Sequence, residues 1–119
     1  MNKDIKIIDF CNVALSSTNG ETIRNEIDKY INDFEKIILD FDEITLFATP
    51  FFNLAIGHFV LKLGPEKFLQ KIECINLTNL GKETYEYSYN NACTIYKDSI
   101  QDKELEEINE IIDNNINEA

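Results

Sequence analysis

The stretch KIILDFDEITLFATPFFNLAIGHFVLKLGP, Lys36 to Pro65, decides the fold. Its first six residues, Lys36-Ile37-Ile38-Leu39-Asp40-Phe41, are mostly apolar with two adjacent β-branched side chains, the pattern of an interior strand. Asp42-Glu43 makes a turn, and Ile44 to Phe47 reads as a brief extended stretch. Thr49-Pro50 marks a helix start: the Thr hydroxyl can cap, and Pro fits a first turn, where its missing N–H would have no partner anyway. From Pro50 to Leu63 the residues are apolar on most sides, so this helix is expected to be largely buried, and Gly64-Pro65 stops it. Ile44 to Leu61 holds no Asp, Glu, Lys or Arg. Thr45, Thr49, Pro50, Asn53 and His58 interrupt that run, so a buried strand end followed by a buried helix fits it better than a membrane span.

Outward from this centre, strands and helices alternate. Ile5, Ile7, Ile8 and Phe10 suggest a first strand. Ser16 to Gly20 reads as a turn-rich break, and Thr18 three residues before Glu21 has capping-box spacing, so a helix is predicted to start near Gly20. Ile23, Ile27, Tyr30, Ile31 and Phe34 give that helix one apolar face. A short helical turn, Glu66 to Lys71, leads to a third strand at Ile72 to Leu77. Thr78 or Asn79 can cap the next helix, whose face is Tyr85, Tyr89, Ala92 and Tyr96. A last helix is predicted from about Asp102 to Asn115, with an apolar stripe of Leu105, Ile108, Ile112 and Ile116. Strands separated by helices imply right-handed crossovers and a mostly parallel or mixed sheet, so the expected fold is a single small α/β domain. Residues 1–98 form its body and 99–119 an acidic C-terminal helix, packed on it or on a partner.

The 119 residues suffice for one domain and one core. The formal charge of −11 disfavours nucleic acid and anionic membranes as direct partners. The charge is uneven: Ser99 to Ala119 holds seven acids and one base, whereas residues 1–98 hold fifteen acids and ten bases. Three scattered cysteines, Cys11, Cys74 and Cys93, lack metal-ligand spacing and read as reduced thiols, and no long apolar run follows Met1 to Lys6. A cytoplasmic location is therefore expected.

Residues suited to chemistry are few. His58, the single histidine, has no carboxylate one helical turn away, with Leu54 and Ala55 before it and Leu61 and Lys62 after. Asp40, Asp42 and Glu43 follow the central strand, where carboxylates can bind Mg²⁺; the plainer reading makes Asp40 a loop cap and Asp42-Glu43 a solvated turn. The four glycines are isolated, so no phosphate-cradling loop is present. Arg24, the only arginine, can pair with Glu21 and Asp28 on its helix or anchor a partner's carboxylate or phosphate. Thr49 can cap a helix or accept a phosphoryl group there. No catalytic, metal or cofactor residue is assigned.

The stretch from Ile37 to Gly57 resembles the centre of STAS domains, the sulfate-transporter and anti-sigma-factor-antagonist domains: a strand ending in Leu-Asp, a short turn, a few apolar residues, then a hydroxyl-bearing turn opening a helix. More closely, the chain is similar to a STAS-like family of unknown function often found with histidine-kinase-type ATPases. Gly20-Glu21-Thr22-Ile23-Arg24 matches that family's helix start, and Ile72 to Leu77 its strand end in looser form. Where STAS domains carry Asp-Ser-Ser-Gly, this chain has Ala48-Thr49-Pro50-Phe51, so Pro50 occupies the usual phosphoacceptor position. The resemblance implies a non-enzymatic regulatory module that binds a protein such as a histidine-kinase-like ATPase, as a monomer or homodimer. It points to Asp42, Thr49, Pro50, Phe51 and Asn53, with Gly20 and Arg24 as a second patch, and to Phe51 or Phe52 as an apolar anchor if exposed. Thr49, which matches only the first hydroxyl position of that turn, is the candidate phosphorylation site. Two alternatives remain: a nucleotide- or Mg-binding protein or enzyme using Asp40, Asp42 and Arg24, which requires the three to converge, and an acidic inhibitor or nucleic-acid mimic.

Overall fold

A computed structural model describes the backbone of residues 1–117 and the side chains as far as Ile100. Three strands, β1 (Asn2–Lys6), β2 (Lys36–Asp40) and β3 (Ile72–Ile75), form a parallel sheet in the order β1-β2-β3. Ile5 pairs with Leu39, and Leu39 with Cys74. The apolar run at Ile37-Ile38-Leu39 occupies the central strand, as its composition predicts. With the strands laid down in the order β1-β2-β3, crossovers of the usual right hand place both connections over the same face. Ile5, Ile37, Leu39 and Ile72 are buried on that face, whereas the alternate residues Asp4, Lys6 and Glu73 are exposed.

Helix α1 (Ser17–Tyr30) joins β1 to β2. Its cap is Ser16, whose hydroxyl accepts from the Asn19 N–H at 3.1 Å, so the helix begins before the Thr18 spacing suggests. Gly20 is thereby a buried helical residue rather than part of a turn. The second connection contains α2 (Thr49–Phe52), a π-helical segment (Asn53–Gly57), α3 (His58–Leu63) and α4 (Pro65–Lys71). Ala48 occupies the cap position of α2 without a side-chain hydrogen bond, so Thr49 lies inside the first turn beside Pro50 and does not cap it. Gly64 ends α3 with φ +86°, a conformation open to glycine at little cost.

Two further expectations are corrected, the end of the first strand and the break before the last helix. β1 stops at Lys6, and Ile7–Asp9 is a 3₁₀ turn, which leaves Phe10 outside the strand and exposed. Phe47 lies in a single parallel bridge with Ala14: the Ala14 N–H donates to the Leu46 carbonyl at 3.0 Å, and the Ala48 N–H to the Ala14 carbonyl at 2.9 Å. The two helices predicted after β3 are one, α5 (Asn79–Asn117), because no Gly or Pro interrupts the chain after Gly81. Thr78 caps it, its hydroxyl accepting from the Gly81 N–H at 3.1 Å. The stripe Leu105, Ile108, Ile112 and Ile116, and what covers it, lie outside the described side chains.

The core is aromatic at its centre. Phe41 meets Phe51 at 6.1 Å and Phe52 at 5.7 Å between ring centroids, and Phe52 meets Tyr85 of α5 at 5.9 Å. Those contacts tie the end of β2 to α2 and α5, the region where the candidate site lies.

Candidate functional site

The site is built on the loop from Phe41 to Ala48 and the start of α2. Phe41 continues the sheet by one bond, its N–H donating to the Ile75 carbonyl at 3.0 Å. The chain then turns: the Ile44 N–H donates back to the Phe41 carbonyl at 3.0 Å, and Glu43 takes φ +70°. Asp40 fixes this turn from below. Its Oδ1 accepts from the Asn76 amide and from the Asp42 N–H, both at 2.9 Å, joining the ends of β2 and β3. The Asn76 bond first, and the Asp42 N–H second, hold the Asp40 carboxyl below its ordinary 3.8. Asp40 is thus a loop cap.

Phe41, Ile44 and Phe47 then enter the core, which leaves Thr45 and Leu46 on the outside. Leu46 is 53% exposed although its own carbonyl is bonded to Ala14, and Leu15, next to Ala14, is 37% exposed. The Ala14–Phe47 bridge therefore holds two apolar side chains outward on a pinned backbone. Asp42, Pro50 and Asn53 are exposed on the same loop and helix start, and Thr49 is half-buried.

Phe51 and Phe52 are both fully buried, which corrects the expectation that either serves as an exposed anchor. Adjacent residues point about 100° apart on a helix, but this one is enclosed by the sheet on one side and α5 on another. Gly20 is also unavailable as a contact patch. A Cβ there would lie 2.5 Å from the Phe51 carbonyl oxygen, so its role is to let α1 approach α2. Leu46 and Leu15 went unnoticed in the sequence because an apolar residue in a run of apolar residues carries no sign that it faces out.

Arg24 is half-buried on α1 and lies 3.5 Å from Glu21. Burial first, and the Arg24 charge second, keep the His58 imidazole below its ordinary 6.5. Asp40 and Asp42 line a cavity of about 190 Å³ with Lys6, Ile8, Asp9 and Glu43, and Arg24 is not among its lining residues. The structure brings two members of that proposed triad together, not three. Among the described residues no group of three or more His, Cys, Asp or Glu is placed to hold a metal ion, and no helix is long and apolar enough to cross a membrane. Cys11, Cys74 and Cys93 are free thiols; burial pushes the Cys11 and Cys74 thiols up, away from the reactive thiolate form.

A family model described as a STAS-like domain of unknown function (DUF4325) matches residues 19–82, just over half of the chain. The match runs from the first turn of α1 to the first turn of α5, so it includes the pinned loop and the buried helix. No curated protein and no solved structure gives a significant match.

Proposed function

The chain belongs to the STAS-like domain family of unknown function, and on that premise we propose that it is a non-enzymatic regulatory module that binds a protein partner through the loop and helix start at Asp42 to Asn53. The partner class is a histidine-kinase-like ATPase, the class that the similarity to anti-sigma-factor antagonists suggests. The observation that carries the reading is Leu46: an apolar side chain more than half exposed on a backbone bonded at both ends of its bridge. Such a residue loses little conformational freedom when a partner covers it, which is the condition for an anchor. Leu15 extends the apolar surface, and Asp42, Pro50 and Asn53 supply a mixed rim. A phosphoryl group on Thr49 would meet the positive end of the helix in the middle of this surface and would change its charge.

The test is a calorimetric titration with a histidine-kinase-like ATPase encoded in the same genome. Wild type is expected to bind, and Leu46→Asp to weaken binding by about tenfold or more with an unchanged melting temperature. Binding by Leu46→Asp equal to wild type would remove this loop from the interface.

A further inference from the structure

At the far end of α1 the surface has a different character. Ile31, Asn32, Lys62, Leu63, Lys67 and Lys71 line a cavity of about 160 Å³ beside the last turns of α3 and α4. Half of these residues are lysines and none is acidic, although acids outnumber bases in residues 1–98. Lys62 lies 3.8 Å from Asp28, an exposed pair, and the Lys71 ammonium donates to the Phe34 carbonyl. Lys67 has no ion-pair partner within 4.0 Å among the described residues, and Glu66 is the one acid lining the adjoining cavity. Ile31 and Leu63 give the cavity an apolar floor, and Leu61 is exposed nearby on α3. Two of these lysines suit the negative C-terminal ends of α3 and α4, but that does not account for Lys67 in mid-helix.

The complementary chemistry is in this chain. Residues 99–119 hold seven acids and one base, with apolar residues at Leu105, Ile108, Ile112 and Ile116. Helix α5 leaves the domain beside the lysines: Tyr96 lies against Gly64 and lines the adjoining cavity with Lys67. From there α5 continues as one helix to Asn117, roughly 30 Å at the helical rise, and a continuous helix does not double back on its own domain. A second copy can supply what the same copy cannot. We propose that the lysine-lined cavity between α1, α3 and α4 is the docking site for the acidic 99–119 segment of a second copy, in a two-fold pair where each segment lies on the other's lysines. Because the two chains repel overall at −11 each, the association depends on this local match of charge and apolar surface.

Sedimentation equilibrium of the full chain tests the proposal. Wild type is expected to dimerise. Lys62→Glu with Lys67→Glu should raise the dimer Kd about tenfold or more, and so should Glu104→Lys with Glu107→Lys. Combining all four changes should restore the wild-type Kd to within a few-fold, since the charges are then exchanged rather than lost. A wild type that stays monomeric at every concentration, a Kd indifferent to either reversal, or a combined variant that is not restored would each overturn it. Circular dichroism checks that the variants fold, and Lys67→Glu alone, at an exposed residue, repeats the first arm if the double variant does not. Leu46 lies beyond the opposite end of α1, so Leu46→Asp should leave the dimer Kd unchanged; partner binding and self-association can therefore fail separately.

Discussion

A single carboxylate holds the candidate site in shape. Asp40 accepts from Asn76 and from the Asp42 N–H, and these bonds favour its charged form. With a folded pKa below the unfolded one, its contribution to stability is fully present above the ordinary Asp range and is lost as pH falls through the folded value. Asp40→Asn should therefore melt below wild type at neutral pH, with the two curves converging below about pH 4. Thermal melts across that range decide it: a gap that stays constant to low pH would show that the charge on Asp40 plays no part. The sequence marked Asp40 as either a loop cap or a metal ligand. What separates the two is Asn76, thirty-six residues away and at φ +60°, a partner that no local pattern announces.

Among the elements, α1 and α2 show how one residue sets a packing distance. Gly20 sits inside α1, where Ala ordinarily favours a helix by about 1 kcal/mol over Gly. Here the added methyl would lie 2.5 Å from the Phe51 carbonyl oxygen and 3.1 Å from the Leu54 Cβ. The nearer atom is backbone, so α1 and α2 must separate, and Gly20→Ala should cost about 1–3 kcal/mol. Urea titration reads the sign directly, and a gain in stability would show that the two helices can move apart freely. The elements legible in the sequence are those set by short-range chemistry: the β-branched central strand, the Gly64-Pro65 stop, the apolar helix after Pro50 and the third strand from Ile72. The less legible ones depend on what lies opposite. Gly20 read as a turn because Phe51 is thirty-one residues away, and Ala14 carried no sign of its bridge to Phe47. The π-helical segment at Asn53–Gly57 has no sequence pattern of its own. It lies where the helix is buried against both α1 and α5, and Gly57 brings it close to Ala92.

Among the described residues, apolar side chains divide into those that hold the domain together and those left exposed, which we propose a partner covers, and the two kinds lie side by side. Phe52 is fully buried and stands within 6.1 Å, between ring centroids, of Phe41, Phe47, Phe51 and Tyr85, so it joins β2, the bridged loop, α2 and α5. Phe52→Ala would empty that junction and should cost about 3–5 kcal/mol. Against a total of about 5–15 kcal/mol for a domain of this size, such a loss leaves little margin, so the urea midpoint should fall sharply. Leu46, six residues earlier and more than half exposed, leaves no cavity when replaced, and Leu46→Asp should stay within about 0.5 kcal/mol of wild type. Measured together, the two variants separate fold from function. If both weaken a partner, only the loss in Leu46→Asp reports on contact, because the loss in Phe52→Ala follows from unfolding and should disappear when the comparison is made per folded molecule. Equal midpoints for Phe52→Ala and wild type would show that this aromatic junction does not hold the layers together, and the division drawn between neighbouring apolar residues would then be wrong.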